Sequence, residues 1–276
     1  MAAASLPTPI LSDAILSAPS PSSRDGVPAE REAVYREFGC ELIAEMCVTL
    51  RVPPAVRATA STLLHRFLWR RSLRAFDVHH VAMAAVFLAS KVEESMRRMR
   101  DVVNVCYAAK QRRTHAGAAG LETPSIRLGG TLYTNWKAAL MRVERFILKD
   151  VGFQVHGGVS AQHPHTFILF FVRVLGGGAP LAQMAWAALN DALQTDLCVR
   201  VTPEAIACAA IYIASRQVGH PLPTAPWARV FGSDEDEVMK IASVILALRA
   251  RTEPIGWLPS LRPDWSLADD EDEPRN

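Results

Sequence analysis

From Val81 to Ala89 every residue is apolar, VAMAAVFLA, and the chain then turns abruptly charged at Lys91, Glu93 and Glu94. A helix that is hydrophobic all round is buried all round, so this stretch predicts a central helix. Its C-terminal end reaches either water or a partner. In water, Lys91 would complement the helix dipole and lay its stem over Phe87 one turn back. Two other stretches carry the helical period on one face. After Thr134, read as an N-cap, Trp136, Ala139, Leu140, Val143 and Ile147 line up, and Gly152 ends the helix. After Ser233, four acids fill a first turn and Val238, Ile241, Ala242, Ile245 and Leu248 face inward. No stretch alternates convincingly at period two, so the pattern predicts an all-α chain.

The central stretch has an echo. Val81-AMAAVFLASK aligns with Ile206-ACAAIYIASR at an offset of 125 residues. Ala82, Ala84, Ala85, Ala89 and Ser90 match Ala207, Ala209, Ala210, Ala214 and Ser215. Upstream the register continues without a gap, pairing Ala60 with Ala185, Leu64 with Leu189, and Asp77 with Thr202, two good N-caps. This predicts a duplicated helical unit, with small alanines letting neighbouring helices approach each central helix closely. The period is far too long for a solenoid. The expected layout is a disordered arm over residues 1–37, a first bundle over 38–156, a second over 157–250, and a disordered acidic tail over 251–276. Each bundle should hold about five helices. The glycine-bearing segment 108–131 reads as a long loop inside the first.

Composition narrows the function. Half of the 276 residues are hydrophobic and the net charge is +2, which fits neither a nucleic-acid sink nor an acidic surface. Cys40, Cys47, Cys106, Cys198 and Cys208 form no C-x-x-C pair and read as free thiols of a reducing compartment. No run approaches the roughly 18 apolar residues of a membrane span. No nucleophile elbow, metalloprotease, phosphate-loop or kinase signature occurs, so an enzyme is not expected. His156, His163 and His165 lie without carboxylate or Cys companions, so loop and cap roles are expected in place of a metal site. No cofactor or small-molecule substrate is implied. Glu144 is the odd residue: Leu140, Met141, Ile147 and Leu148 surround it at helical spacing, and such a carboxylate wants a partner from another element.

These residues resemble the tandem cyclin boxes of the cyclin family, most of all the L-type cyclins of transcription and splicing. The resemblance rests on LLHRF (63–67), VAMAAVFLASKVEE (81–94), RRMRDVVNV (97–105), ERFILKDVGFQVH (144–156), AWAALNDALQTDLCVR (185–200) and PEAIACAAIYIASR (203–216). The sequence departs from the family at Ser95-Met96, where L-type cyclins generally have Ala-Pro, and its acidic tail stands where longer members carry an Arg/Ser-rich one. The resemblance implies a regulatory subunit that binds and activates a cyclin-dependent protein kinase. Such a subunit works in the nucleus, with the cytoplasm as a second compartment. It further implies that Lys91 and Glu144 lie together and hydrogen-bond to the kinase, and that Val92, Leu148 and Phe153 supply apolar contacts. A structural Lys–Glu bridge is the alternative for the pair. Arg97, Arg98 and Arg100, within a wider basic cluster, are candidates for a phosphate or an acidic segment. No aromatics interleave with them, so direct nucleic-acid binding is not expected. The competing reading is a general initiation factor of the TFIIB type, which also uses two cyclin-like repeats. Against it, residues 1–39 contain no zinc-ribbon cysteines, and bases and acids balance over 181–250.

Overall fold

The computed structural model describes residues 11–114, 126, 130–153, 155, 163–224, 226–250 and 255–261. The regular structure among them is entirely helical: α1 (Asp13–Ser17), α2 (Pro21–Arg24), α3 (Ala29–Thr49), α4 (Pro54–Leu68), α5 (Val78–Val92), α6 (Met99–Thr114), α7 (Thr131–Asp150), α8 (His165–Val174), α9 (Ala179–Ala192), α10 (Leu197–Arg200), α11 (Pro203–Val218), a 3-10 turn (Trp227–Phe231) and α12 (Glu235–Arg249). They fall into two units. Residues 19–155 and 255–276 make the first; residues 1–18 and 156–254 make the second.

The apolar run becomes the axis of the first unit. Twelve of the fifteen residues of α5 are buried, which is possible only because α3, α4, α6 and α7 pack around it. Small residues set the spacing. A Cβ on Gly39 of α3 would lie 2.8 Å from a Leu64 methyl and 2.9 Å from a Val78 methyl, so glycine lets α3 close onto α4 and α5. In the second unit α11 takes the same role, packed by α8, α9, α12 and the 3-10 turn, with Ala205–Ala210 all buried.

The sequence echo is therefore a structural one. Asp77 and Thr202 both cap their helices, accepting from the backbone N–H of His79 (2.8 Å) and Ala205 (3.4 Å). Ser90 and Ser215, the matched serines near the other end, each donate to a carbonyl three residues back, Phe87 and Tyr212, at 2.7 Å. The paired Ala60 and Ala185, and Leu64 and Leu189, are all buried in α4 and α9.

Several expectations need correction. Thr134 is not the cap of α7: the helix starts at Thr131 behind Gly130, and the Thr134 hydroxyl donates back to the Gly130 carbonyl. Asp234, accepting from Asp236 N–H, caps α12 in place of Ser233. The arm expected over residues 1–37 is helical from Asp13 on in α1, α2 and the start of α3. Its prolines suggested disorder, yet Pro21 sits at a helix start, where a missing N–H costs nothing. Ser22 anchors this region by accepting from Leu73 N–H at 3.1 Å. The loop expected over 108–131 begins only after α6 ends at Thr114; residues 115–125 and 127–129 lie outside the described residues. So do residues 1–10, His156 and the acidic stretch from 262 on. Residues 255–261, expected to be solvated tail, pack instead on the first unit through Ile255, Trp257, Leu258 and Leu261.

Candidate protein-binding site

The end of α5 is built by backbone as much as by side chain. Glu94 takes the left-handed conformation (φ 50°), and Ser95 N–H turns back to the Ser90 carbonyl at 2.9 Å. That six-to-one closure terminates the helix without a glycine. It leaves Lys91 on the last turn, where its ammonium donates to Glu144 Oε1 of α7 at 2.6 Å and lies 4.0 Å from the centre of the Phe87 ring. The carboxylate that had no basic neighbour on its own helix finds one across the bundle. The pair is neither core nor fully solvated: the Lys91 side chain is 38% exposed and that of Glu144 14%. An ion pair that opens to the surface in this way keeps hydrogen-bonding capacity on both partners, since an ammonium has three protons and a carboxylate two oxygens. The adjacent Glu93 is held separately, accepting from the Thr59 hydroxyl at 2.5 Å.

The apolar candidates lie at the ends of the same two helices, Val92 closing α5, Leu148 in the last turn of α7 and Phe153 just beyond it. Val92 and Leu148 are half-buried against the first core. Phe153 differs sharply. Gly152 (φ 64°) and Phe153 (φ 58°) are both left-handed, and Phe153 N–H closes the helix onto the Leu148 carbonyl at 2.9 Å. For a bulky aromatic this backbone is unfavourable by roughly 1–2 kcal/mol, and it holds the ring 72% exposed. A large apolar group held out in a strained conformation is a feature of contact surfaces more than of cores.

The basic residues divide by use. Arg97 is committed within the chain: its guanidinium donates to the Leu50 and Arg51 carbonyls at 3.0 and 2.9 Å, closing the C-terminus of α3, and also to the Ser95 and Met96 carbonyls. Arg51 is the left-handed residue at that helix end (φ 51°). Charge and spacing gave no sign of this, because no glycine marks the turn that needs the cap. Arg98 is exposed, and Arg100 is exposed beside Asp101 at 3.3 Å. Elsewhere in the cluster, Arg71 is paired with Asp150 at 2.7 Å, Arg112 with Glu45, and Arg113 with Glu41 and Glu45. His165 packs edge-on against Trp186, and no group of three or more metal-binding side chains occurs among the described residues. No described helix is long and apolar enough to cross a membrane.

Residues 15–156 match the family model described as Cyclin, N-terminal domain. Human Cyclin-L1 is 41% identical to this chain over 239 residues, 86% of this chain and 44% of that protein. The chain thus spans less than half the length of that relative. Among solved structures, a chain of the yeast RNA Pol II CTD kinase CTDK-1 complex superposes with a TM-score of 0.69 at 17% identity, covering 87% of this chain and 72% of that one. A viral cyclin from Herpesvirus saimiri superposes with a TM-score of 0.54 at 12% identity, over 79% and 85% of the two chains. At these identities the likeness is one of fold.

Proposed function

The chain belongs to the cyclin family, and on that premise we propose that it is the regulatory subunit of a cyclin-dependent protein kinase of the transcription or RNA-processing type, acting in the nucleus. The observation that carries the reading is the Lys91–Glu144 pair, a half-exposed ion pair at one end of the central helix. Val92 and Leu148 flank it in sequence, and the outward-held Phe153 follows on the same helix end. The similarity to Cyclin-L1, and the fold shared with a chain of a CTD kinase complex, support it over an initiation factor.

The mechanism needs no chemistry in this chain. A protein kinase is active when the lysine of its third strand is paired with the glutamate of its αC helix and its activation loop is held open. A rigid helical surface that binds this state more tightly than the inactive one shifts the equilibrium by the difference in affinity. Lys91 and Glu144 supply directional hydrogen bonds for that surface, and Val92, Leu148 and Phe153 exclude water around them. The exposed Arg98 and Arg100 meet a phosphate or acidic segment of the partner in this reading. The test is affinity purification from the native cell, identification of any bound kinase, and assay of that kinase with and without this chain. Recovery of a kinase whose activity rises on binding is the expected result. Association with promoter DNA and no kinase would favour the initiation-factor reading.

A further inference from the structure

The segment after the second unit behaves as a bound peptide of the first. Trp257 stacks on His79 at a centroid separation of 4.1 Å and 19° between planes, and Phe38 meets the same indole edge-on at 5.6 Å. The Lys110 ammonium lies 5.9 Å from its centre. The backbone is gripped at two points four residues apart. Arg113 donates to the Ile255 carbonyl at 3.0 Å, and the Tyr35 hydroxyl donates to the Pro259 carbonyl at 2.7 Å. Ser260 adds a hydrogen bond to Asp77.

A half-buried aromatic anchor stacked on side chains of the first unit, two carbonyls clamped four residues apart and non-helical backbone between them make up a pattern of peptide recognition. Proline at 259 suits it, since it removes a donor that nothing here requires and stiffens the chain before binding. His79, whose ring is buried under the indole, keeps Nε2 without a hydrogen-bond partner among the described residues. The groove lies at the opposite end of α5 from Lys91, about 18 Å away along the helix, so its occupancy leaves the proposed kinase surface uncovered.

We infer that the groove walled by Tyr35, Phe38, His79, Lys110 and Arg113 is a peptide-docking site for a short extended segment with a tryptophan two residues before a proline. Its resident occupant is the chain's own Ile255–Leu261, bound in cis as a displaceable strap. The inference does not depend on the kinase reading. The test uses the full chain and a fluorescent, end-blocked peptide of residues 255–261. Trp257→Ala removes the anchor from the strap and leaves the groove intact, so the peptide should bind this variant at least tenfold more tightly than the parent. With 5-fluorotryptophan in the parent, the 19F signal that Trp257→Ala deletes should lie away from that of the free peptide, and Tyr35→Phe should move it toward the free-peptide position. Equal peptide affinity for parent and variant, or binding to neither, overturns the inference. So does a Trp257 signal in the parent that coincides with that of the free peptide. Failure of Trp257→Ala to fold would make the segment a fixed part of the core, and a dimer with straps exchanged would place the occupant in trans; either result also overturns it.

Discussion

Replacing Lys91 or Glu144 by alanine separates a contact that holds this chain together from one that holds a partner. In the free protein, Lys91→Ala removes one hydrogen bond of 2.6 Å and an ammonium 4.0 Å from the Phe87 ring. The Lys91 side chain is more than a third exposed, and at that exposure an ion pair contributes about 0–1 kcal/mol and a cation–π contact about 0.5–1 kcal/mol. Water recovers part of both, so the total loss should stay near 1 kcal/mol. For a chain of this size that lowers Tm by about 2–4 °C. Glu144→Ala should cost no more, since it leaves Lys91 free to turn to solvent. On the proposed mode of binding the complex would bury the same groups where water cannot replace their bonds, so truncation should cost about 2 kcal/mol or more, roughly a 30-fold rise in Kd. The double variant should lose less than the sum, because each group orders the other. Melting temperature and kinase affinity, measured side by side on the four proteins of the cycle, decide the matter. Unchanged affinity in both single variants would refute the reasoning and make the pair a bridge between α5 and α7. Unfolding of the variants would make it a core contact.

The other predictions concern the scaffold. Ala85→Leu and Ala210→Leu place three extra carbons where exposure is nil in α5 and α11, so each should destabilise by about 1–3 kcal/mol; unchanged denaturant midpoints would show that these alanines leave room. Glu94→Gly relieves a left-handed residue (φ 50°) worth about 1–2 kcal/mol and adds about 0.4–1 kcal/mol of unfolded-state entropy, so a net gain near 0.5–1 kcal/mol should appear as a slightly higher Tm. Phe153→Ala should leave Tm nearly unchanged, since the ring is exposed, while weakening the kinase complex in the same binding assay. Acid should destabilise the first unit in two steps. Burial holds His80 below its ordinary 6.5, so only the unfolded chain takes the proton and stability begins to fall as pH drops below 6.5. Burial alone would raise the Asp77 carboxyl, but the hydrogen bond and charge of His79 and the Ser260 hydrogen bond outweigh it and hold the group below its ordinary 3.8. Its contribution is therefore present above pH 3.8 and lost below it. Thermal melts from pH 8 to 3 should show both limbs, and Asp77→Asn should remove the lower one.

What could be read from the sequence depended on whether a residue's neighbours repeat at a fixed spacing. The two central helices were legible because buried small residues recur in register, and the match reaches single hydrogen bonds, as Ser90 and Ser215 each turn back to a carbonyl three residues earlier. Spacing showed only half of the Lys91–Glu144 contact: a carboxylate with only apolar neighbours on its own helix needs a partner, while Lys91 as that partner followed from the resemblance to cyclins, and α5 delivers it at 2.6 Å. Helix ends were harder. Arg51 and Glu94 adopt the left-handed conformation without the glycine that would announce it. The cap that Arg97 provides for α3 depends on Arg51 in turn, so a residue that charge alone marks as a phosphate contact is already committed to backbone carbonyls. Ile255–Leu261 was hidden for a related reason. Seven residues of extended chain have no period to detect, and their polar, acidic context suggests solvent; yet Trp257 and Leu258 are apolar groups with no helix to bury them. Such a segment folds only by finding a surface already built, which places it with ligands as much as with scaffold. The same logic applies to Phe153, a large apolar side chain left exposed just past the end of α7. In both places the residues that local pattern could not explain are the ones whose explanation lies in a second chain segment, covalently attached in one case and, on the proposed function, supplied by a partner in the other.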